Sequence, residues 1–418
     1  MPVPEHVVIP MSMHIGAPAE PVVKKGDTVM VGTVIGKAGG FVSANIYSSV
    51  SGTVQDIAPL RMVNGAMTTA VAIKTDGAQT VDPACVPPVV TDKASLMAAV
   101  QACGLVGVGG AGFPTHVKLA ANTIDTLLIN AAECEPYLTT DCREMLECSD
   151  TIISGITAVM KYCEIPHCII GIERNKPECI DLLTSLTREM KGVEVKGLPM
   201  RYPQGAEKTL VETCTGREVP QVGPSGKPGL PADVGCVIMN VTSVSTLGKF
   251  LKTGIPLVTK RVTVEGDAIA NPQNIEVPIG TLYRDVIDAC GGVKEGVELG
   301  KIIFGGPMMG GAAPSADFPV LKQNNGLLLF SKKAAALPEP SACIRCGRCI
   351  EACPMGLEPV VIAQDFANKD FAALKARCVD LCVACGSCTY ACPAKRPVSQ
   401  TMGLAKGWYM AELRKGGK

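Results

Sequence analysis

Near its C-terminus the chain writes one phrase twice, Cys343-Ile344-Arg345-Cys346-Gly347-Arg348-Cys349-Ile350-Glu351-Ala352-Cys353-Pro354 and Cys382-Val383-Ala384-Cys385-Gly386-Ser387-Cys388-Thr389-Tyr390-Ala391-Cys392-Pro393. Three thiolates two residues apart can wrap one cubane, and a fourth, held off by three residues and followed by proline, reaches a neighbouring cubane. The spacing therefore predicts two [4Fe-4S] clusters with crossed ligation: Cys343, Cys346, Cys349 and Cys392 on one, and Cys382, Cys385, Cys388 and Cys353 on the other. Paired zinc sites fit less well, because zinc knuckles close with four ligands and have no use for the doubled frame. Adjacent clusters carry single electrons.

A second stretch with chemical content is Gly104 to Lys118. Gly107, Gly109 and Gly112 satisfy G-x-G-x-x-G, and Glu133 follows about twenty residues on, as in nucleotide fingerprints. That fingerprint needs a strand before its glycines, whereas residues 92–103 read as a helix. The physical use of the loop survives: bare backbone amides and the next helix start can hold a phosphate or lie against a planar ring.

These residues need a scaffold. At 418 residues the chain divides into several domains. Lys plus Arg equals Asp plus Glu, so the formal charge is zero and no basic stripe exists to bind nucleic acid. No stretch is long and apolar enough for a membrane-spanning helix, and Met1–His6 does not read as a signal peptide, which predicts a cytoplasmic location. Of the 20 cysteines, eight are the predicted ligands; the rest, such as Cys103, Cys168 and Cys236, read as small buried hydrophobes.

The expected fold class is multidomain α/β. Residues 1–82 carry short β-runs broken by glycine and predict a β barrel or sandwich. Lys25 to Gly36 followed by Ser48 to Val54 is similar to the biotinyl/lipoyl carrier fold, but the hairpin Phe41 to Tyr47 has no lysine to modify, so a packing or docking module is expected. Residues 91–255 alternate apolar runs with amphipathic segments, the pattern of a Rossmann-like, mainly parallel sheet with helices on both faces. Expected strands are 126–130, 168–172, 193–195 and 236–240, and expected helices are 149–163, 177–190 and 206–214. Residues 223–231 read as a loop. Residues 256–315 form a small α+β unit similar to the SLBB-type β-grasp domain, with Gly291 and Gly292 capping its helix. Residues 335–418 hold the cysteine repeat; helices expected at 359–368 and 371–377 make this domain helical.

Gly107 to Lys118, together with Asn130-Ala131-Ala132-Glu133-Cys134-Glu135-Pro136, resembles the FMN and NADH site of the flavin subunit of respiratory complex I. Taken whole, the chain is similar to the RnfC family of Rnf electron-transport complexes. His14 to Pro18, Gly40 to Asn45, Tyr202 to Lys208, Thr215 to Pro220, Gly305 to Gly310 and the cysteine repeat carry this, in order and over nearly the full length. The resemblance implies that Gly107, Gly109, Gly110, Ala111, Gly112 and Lys118 line the FMN phosphate and ribityl chain. It places Asn130, Glu133, Tyr202, Gly205, Glu207 and Asn240 by the isoalloxazine, and Phe113 and Glu135 by the NAD(H). Val108, Ala132, Ala206 and Met239 replace the pattern's arginine, acids and asparagines, which implies fewer or rearranged flavin contacts.

The implied function is electron transfer between NAD(H), FMN and two [4Fe-4S] clusters, within an Rnf-type ferredoxin:NAD oxidoreductase complex peripheral to the cytoplasmic face of the membrane. Its partners are then the other Rnf-type subunits. Two other readings remain open: a soluble NADH-dependent reductase serving a redox partner, of cobalamin or amino-acid reductase type, and a flavin-free iron–sulfur relay or scaffold.

Overall fold

The computed structural model describes residues 1–121, 123–224 and 228–416. Ser225, Gly226 and Lys227, within the loop expected at 223–231, lie outside the described residues.

The N-terminal β-runs form two small sheets. One orders His6–Pro10, Met67–Thr75, Gly52–Arg61 and Thr28–Val29, all antiparallel, and the other orders Glu20–Pro21, Val34–Lys37 and Ile46–Tyr47. Alternating residues of both, among them Val7, Ile9, Ile35, Ile46, Val71 and Ile73, share one core. The unmodified hairpin of the lipoyl-like half leaves Phe41 70% exposed.

The next domain carries all four expected strands in one parallel sheet: Thr126–Ala131, His167–Glu173, Val193–Leu198 and Cys236–Asn240. Numbered along the chain, their spatial order is third, second, first, fourth. Leu127, Leu128 and Ile129 are fully buried, and each such side chain contributes roughly 1.5–3 kcal/mol of transfer free energy. The long helices Ser149–Tyr162 and Val241–Thr253 cross so closely that a Cβ on Gly155 would lie 2.1 Å from the Val244 carbonyl oxygen, and one on Gly248 2.0 Å from that of Thr151. An alanine at either position would force the helices apart. Residues before the glycine loop form the helix Lys93–Ala102, capped by Asp92, so the loop follows a helix and not a strand.

The β-grasp sheet orders Gln273–Pro278, Thr259–Glu265, Gly326–Ser331, Leu299–Phe304 and Gly311–Ala313. Its central strand, Gly326–Ser331, lies beyond the boundary at 315 that the sequence suggested. The run Leu327-Leu328-Leu329 is fully buried in that sheet, parallel to Thr259–Glu265 on one side and antiparallel to Leu299–Phe304 on the other. Gly291 and Gly292 both take positive φ after the helix Tyr283–Ala289.

The C-terminal segment is helical, as expected, with Arg348–Glu351, Pro359–Ala367, Phe371–Ala376, Ser387–Tyr390 and Val398–Arg414. The last helix closes it: Tyr409 stacks on Phe371 at 4.9 Å and Trp408 lies against Phe366.

Candidate functional site

The connection out of the first strand runs to one side of it and the connection into the fourth strand returns to its other side, and Asn130 and Asn240 are register partners at the carboxyl ends of these two neighbours. Such a reversal opens a crevice where ligands of α/β sheets bind. The two amides are fixed there. Asn130 donates to the Gly205 carbonyl at 2.8 Å, drawing the loop after Tyr202 over the strand end. Asn240 caps the helix Val241–Thr253, its oxygen accepting from the amides of Thr242 (2.9 Å) and Ser243 (3.3 Å).

The glycine loop lies over this crevice. The Gly107 amide donates to the Phe113 carbonyl at 2.9 Å, closing the loop at its base, and the Val108 amide donates to the Ser243 hydroxyl at 3.2 Å. Between them Gly109, Gly110 and Ala111 are exposed. A Cβ added at Gly110 meets nothing within 4 Å, and one at Gly109, where φ is +84°, would stand 3.7 Å from the Asn240 amide nitrogen and 3.4 Å from that of Asn325. The loop thus offers bare backbone with open space above it and two carboxamides beside it, an arrangement that fits a flavin's ring and phosphate tail. Lys118, on the short helix Thr115–Leu119, pairs with Glu207 at 2.5 Å. The helix after the glycine loop is therefore tied to the start of the helix Glu207–Thr215.

Val108, Ala132 and Met239, where the chain departs from the complex I pattern, are all buried. They are core residues.

Of the other expected site residues, Glu133, Glu135 and Tyr202 line one cavity, and each also holds a protein partner. Phe113 is half-buried. Glu133 holds a positive φ and turns its carboxylate onto the amides of Asp141 (2.6 Å) and Cys142 (3.1 Å), at the start of the helix Thr140–Glu147. Burial, and then the neighbouring Asp141, push its carboxyl well above the usual range. Asp141 in turn accepts from the Asn240 amide (2.8 Å) and the Thr242 hydroxyl (2.7 Å), so Glu133 acts on the crevice through Asp141. Glu135 accepts from the amides of Met308 (3.1 Å) and Met309 (2.8 Å), in the Gly305–Gly310 loop of the β-grasp domain. Tyr202 donates to the Cys385 carbonyl at 2.7 Å and lies 3.5 Å from Glu135. Glu135 and Tyr202 thus join the flavin domain to the β-grasp and cysteine domains.

Of the eight cysteines in the two expected ligand sets, Cys349, Cys353, Cys382 and Cys388 pack in the small apolar core of the C-terminal domain. Cys353, Cys382, Cys385 and Cys388 line one cavity together with Leu357 and Met402. Among the described residues no set converges on a point as the ligands of a single ion would; the thiolates of a cubane each meet a different iron. The sets differ in setting: Cys385 and Cys388 are buried, and Cys343 and Cys346 are exposed.

Asn325, Asp141, Ser243 and the Met308–Met309 amides were not foreseen. Asn325 ends the polar run Lys322-Gln323-Asn324-Asn325 before the apolar run Leu327 to Phe330, a signal visible in the sequence. The others act through backbone or through hydrogen bonds that no spacing reveals.

Comparison with known proteins agrees with this division. Residues 1–78 match the RnfC barrel sandwich hybrid domain, 100–249 the Nuo51 FMN-binding domain, 261–311 the SLBB domain and 338–396 the 4Fe-4S dicluster domain. Together with the crevice and the thiol sets, they define an electron-transfer protein with a flavin domain and an iron–sulfur domain on one chain. The chain is 44% identical over 372 residues to the C component of the proton-translocating ferredoxin:NAD(+) oxidoreductase complex of Clostridium ljungdahlii, covering 87% of this chain and 79% of that one. It is 43% identical over 420 residues to the counterpart from the Na(+)-translocating complex of Acetobacterium woodii (99% and 93% covered). With the C component of the ion-translocating oxidoreductase complex of Rhodobacter capsulatus, the identity is 39% over 372 residues (86% and 69% covered). It belongs to the RnfC family of the ion-translocating ferredoxin:NAD+ oxidoreductase, or Rnf, complexes. No described helix is long and apolar enough to cross a membrane.

Proposed function

We propose that this chain is the NAD(H)-linked wire of such a complex, with an inner cluster held by Cys353, Cys382, Cys385 and Cys388 beside the flavin domain. The outer cluster would be held by Cys343, Cys346, Cys349 and Cys392. The observation that carries this order is the Tyr202 hydroxyl on the Cys385 carbonyl: the loop that packs on Asn130 through Gly205 also touches the inner cysteine loop. When bound, FMN exchanges hydride with the nicotinamide and single electrons with the clusters. Gly107, Gly109, Gly110, Ala111 and Gly112 would present backbone amides to it, Lys118 would hold its phosphate, and Asn130, Gly205 and Asn240 would orient its ring. Glu135, held by Met308 and Met309, would fix the β-grasp loop against the inner cluster and keep water from the junction.

At the outer set, Arg345, Arg348, Lys395 and Arg396 are all exposed. This cationic rim favours an acidic iron–sulfur protein as the external partner, and the membrane subunits of the complex would hold the chain at the membrane surface.

Anaerobic purification tests the proposal. The protein should carry flavin absorption and about eight iron atoms, as two cubanes require, and should co-purify with hydrophobic subunits. Iron without flavin would reduce it to a relay, and an intact soluble flavoprotein free of those subunits would remove it from the membrane complex.

A further inference from the structure

The glycine loop is tied down at both ends by contacts that reach it from the N-terminal barrel. On the inlet side, the helix Lys93–Ala102 ends in three carbonyls, each claimed by a different part of the chain. The Tyr47 hydroxyl of the barrel donates to Ala102, the Leu257 amide donates to Cys103 at 3.0 Å, and the Lys322 ammonium donates to Gly104 at 2.7 Å. Lys322 also donates to the Asn45 carbonyl of the barrel hairpin at 2.7 Å. On the outlet side, the Ile15 amide of the barrel donates to the Gly112 carbonyl at 3.1 Å. The ring of His116, the second residue of the next helix, hydrogen-bonds the Phe41 carbonyl at 3.0 Å and meets the Phe41 ring edge-on. Gly112 also lies against the barrel: with φ at +72°, a Cβ there would stand in contact with His14 and the Met13 carbonyl, at 3.4 Å from each.

Lys322 is fully buried, and among the described residues no carboxylate pairs with it. Burial lowers its ammonium to about 7, and donation to the two carbonyls favours the charged form and works against that shift. A buried cation with no anion is costly. Its placement at the carbonyl end of a helix, where the dipole favours positive charge, offsets part of that cost.

We propose that the N-terminal barrel is a clamp that holds the glycine loop in its flavin-binding shape, and that Lys322 is the positioning residue that locks it. This rests on the reading that the glycine loop holds FMN. It gives the barrel, a carrier-like fold with no lysine on its hairpin, a task in this chain: to fix the positions of Gly104 and Gly112, from which the exposed Gly109-Gly110-Ala111 segment is suspended.

The test uses the full-length protein stripped of flavin and titrated with FMN, binding being read by quenching of flavin fluorescence. Lys322→Met should raise the FMN dissociation constant about tenfold, as loss of hydrogen bonds from a charged donor would. His116→Ala, at the outlet tether, should raise it about threefold, as loss of one hydrogen bond would, and decides the matter if the lysine variant does not fold. In both, iron content should be unchanged, and NADH-dependent turnover should return to the wild-type kcat at saturating FMN, with only the half-saturating FMN concentration shifted. Wild-type FMN affinity in a folded Lys322→Met protein, or in His116→Ala if it alone folds, would overturn the clamp. Failure of the wild-type protein itself to bind FMN would instead overturn the function proposed above.

Discussion

The two cysteine loops share a backbone and differ in everything around it. Arg345 and Ala384 occupy equivalent positions with φ of +54° and +55°, Gly347 and Gly386 follow at +78° and +82°, and each loop runs into a one-turn helix. The outer loop nevertheless stands in solvent, with Ile344 68% exposed, and the inner one is pressed between domains. The residues between the cysteines account for this. At Gly386 an added Cβ would lie 2.8 Å from the Met308 carbonyl oxygen, whereas at the equivalent Gly347 it would meet nothing within 4 Å. Ser387 is buried where the outer loop has the exposed Arg348. The cysteines set ligand geometry; their neighbours set what each cluster faces.

The comparison is broken most severely at the cysteines. Cys385→Ala should abolish transfer from flavin to any acceptor and lower the melting temperature. Cys346→Ala should also lose acceptor activity but keep an inner cluster that exchanges electrons with the flavin, which paramagnetic resonance of the partly reduced protein would reveal. Identical spectra from the two variants would refute the inner and outer assignment. Next, Ser387→Arg places the outer loop's cation in the inner junction. Overpacking of about 1–3 kcal/mol should loosen the cysteine domain and slow flavin-to-cluster transfer, measured by stopped-flow absorbance, roughly ten- to hundredfold. The reciprocal Arg348→Ser should leave that step unchanged.

A gentler probe is Tyr202→Phe, which removes one interdomain hydrogen bond worth about 1 kcal/mol and should slow the same step severalfold with flavin content intact. Smallest is the outer rim. Arg345→Glu or Arg348→Glu should raise KM for an acidic partner by the few-fold that exposed pairs of about 0.2–1 kcal/mol allow. That effect should fade at high salt, and NADH reduction of the flavin should not change.

Much of this was legible before any coordinates. The four parallel strands announced themselves as apolar runs in an α/β rhythm, and the cysteine repeat announced an iron–sulfur domain because thiolate spacing within each phrase is a local property. The central β-grasp strand at Gly326 was missed because a short apolar run after a loop does not say which sheet it completes. The hydrogen bonds of Glu135 to Met308 and of Tyr202 to Cys385 could not be read from the sequence, since they join residues more than 170 positions apart. Lys322 was invisible for a related reason: a lysine in sequence reads as surface, and only the fold reveals two carbonyls waiting for it.

The buried inner cysteines also constrain how the protein is made. With the Tyr202 hydroxyl on the Cys385 carbonyl and the Met308 loop against Gly386, Cys385 and Cys388 are buried. If the inner thiols hold a cluster, those two are best reached while the C-terminal domain is still undocked, whereas Cys343 and Cys346 stay exposed to loading or repair afterwards. Maturation would then have an order written into the fold, with the inner cluster first.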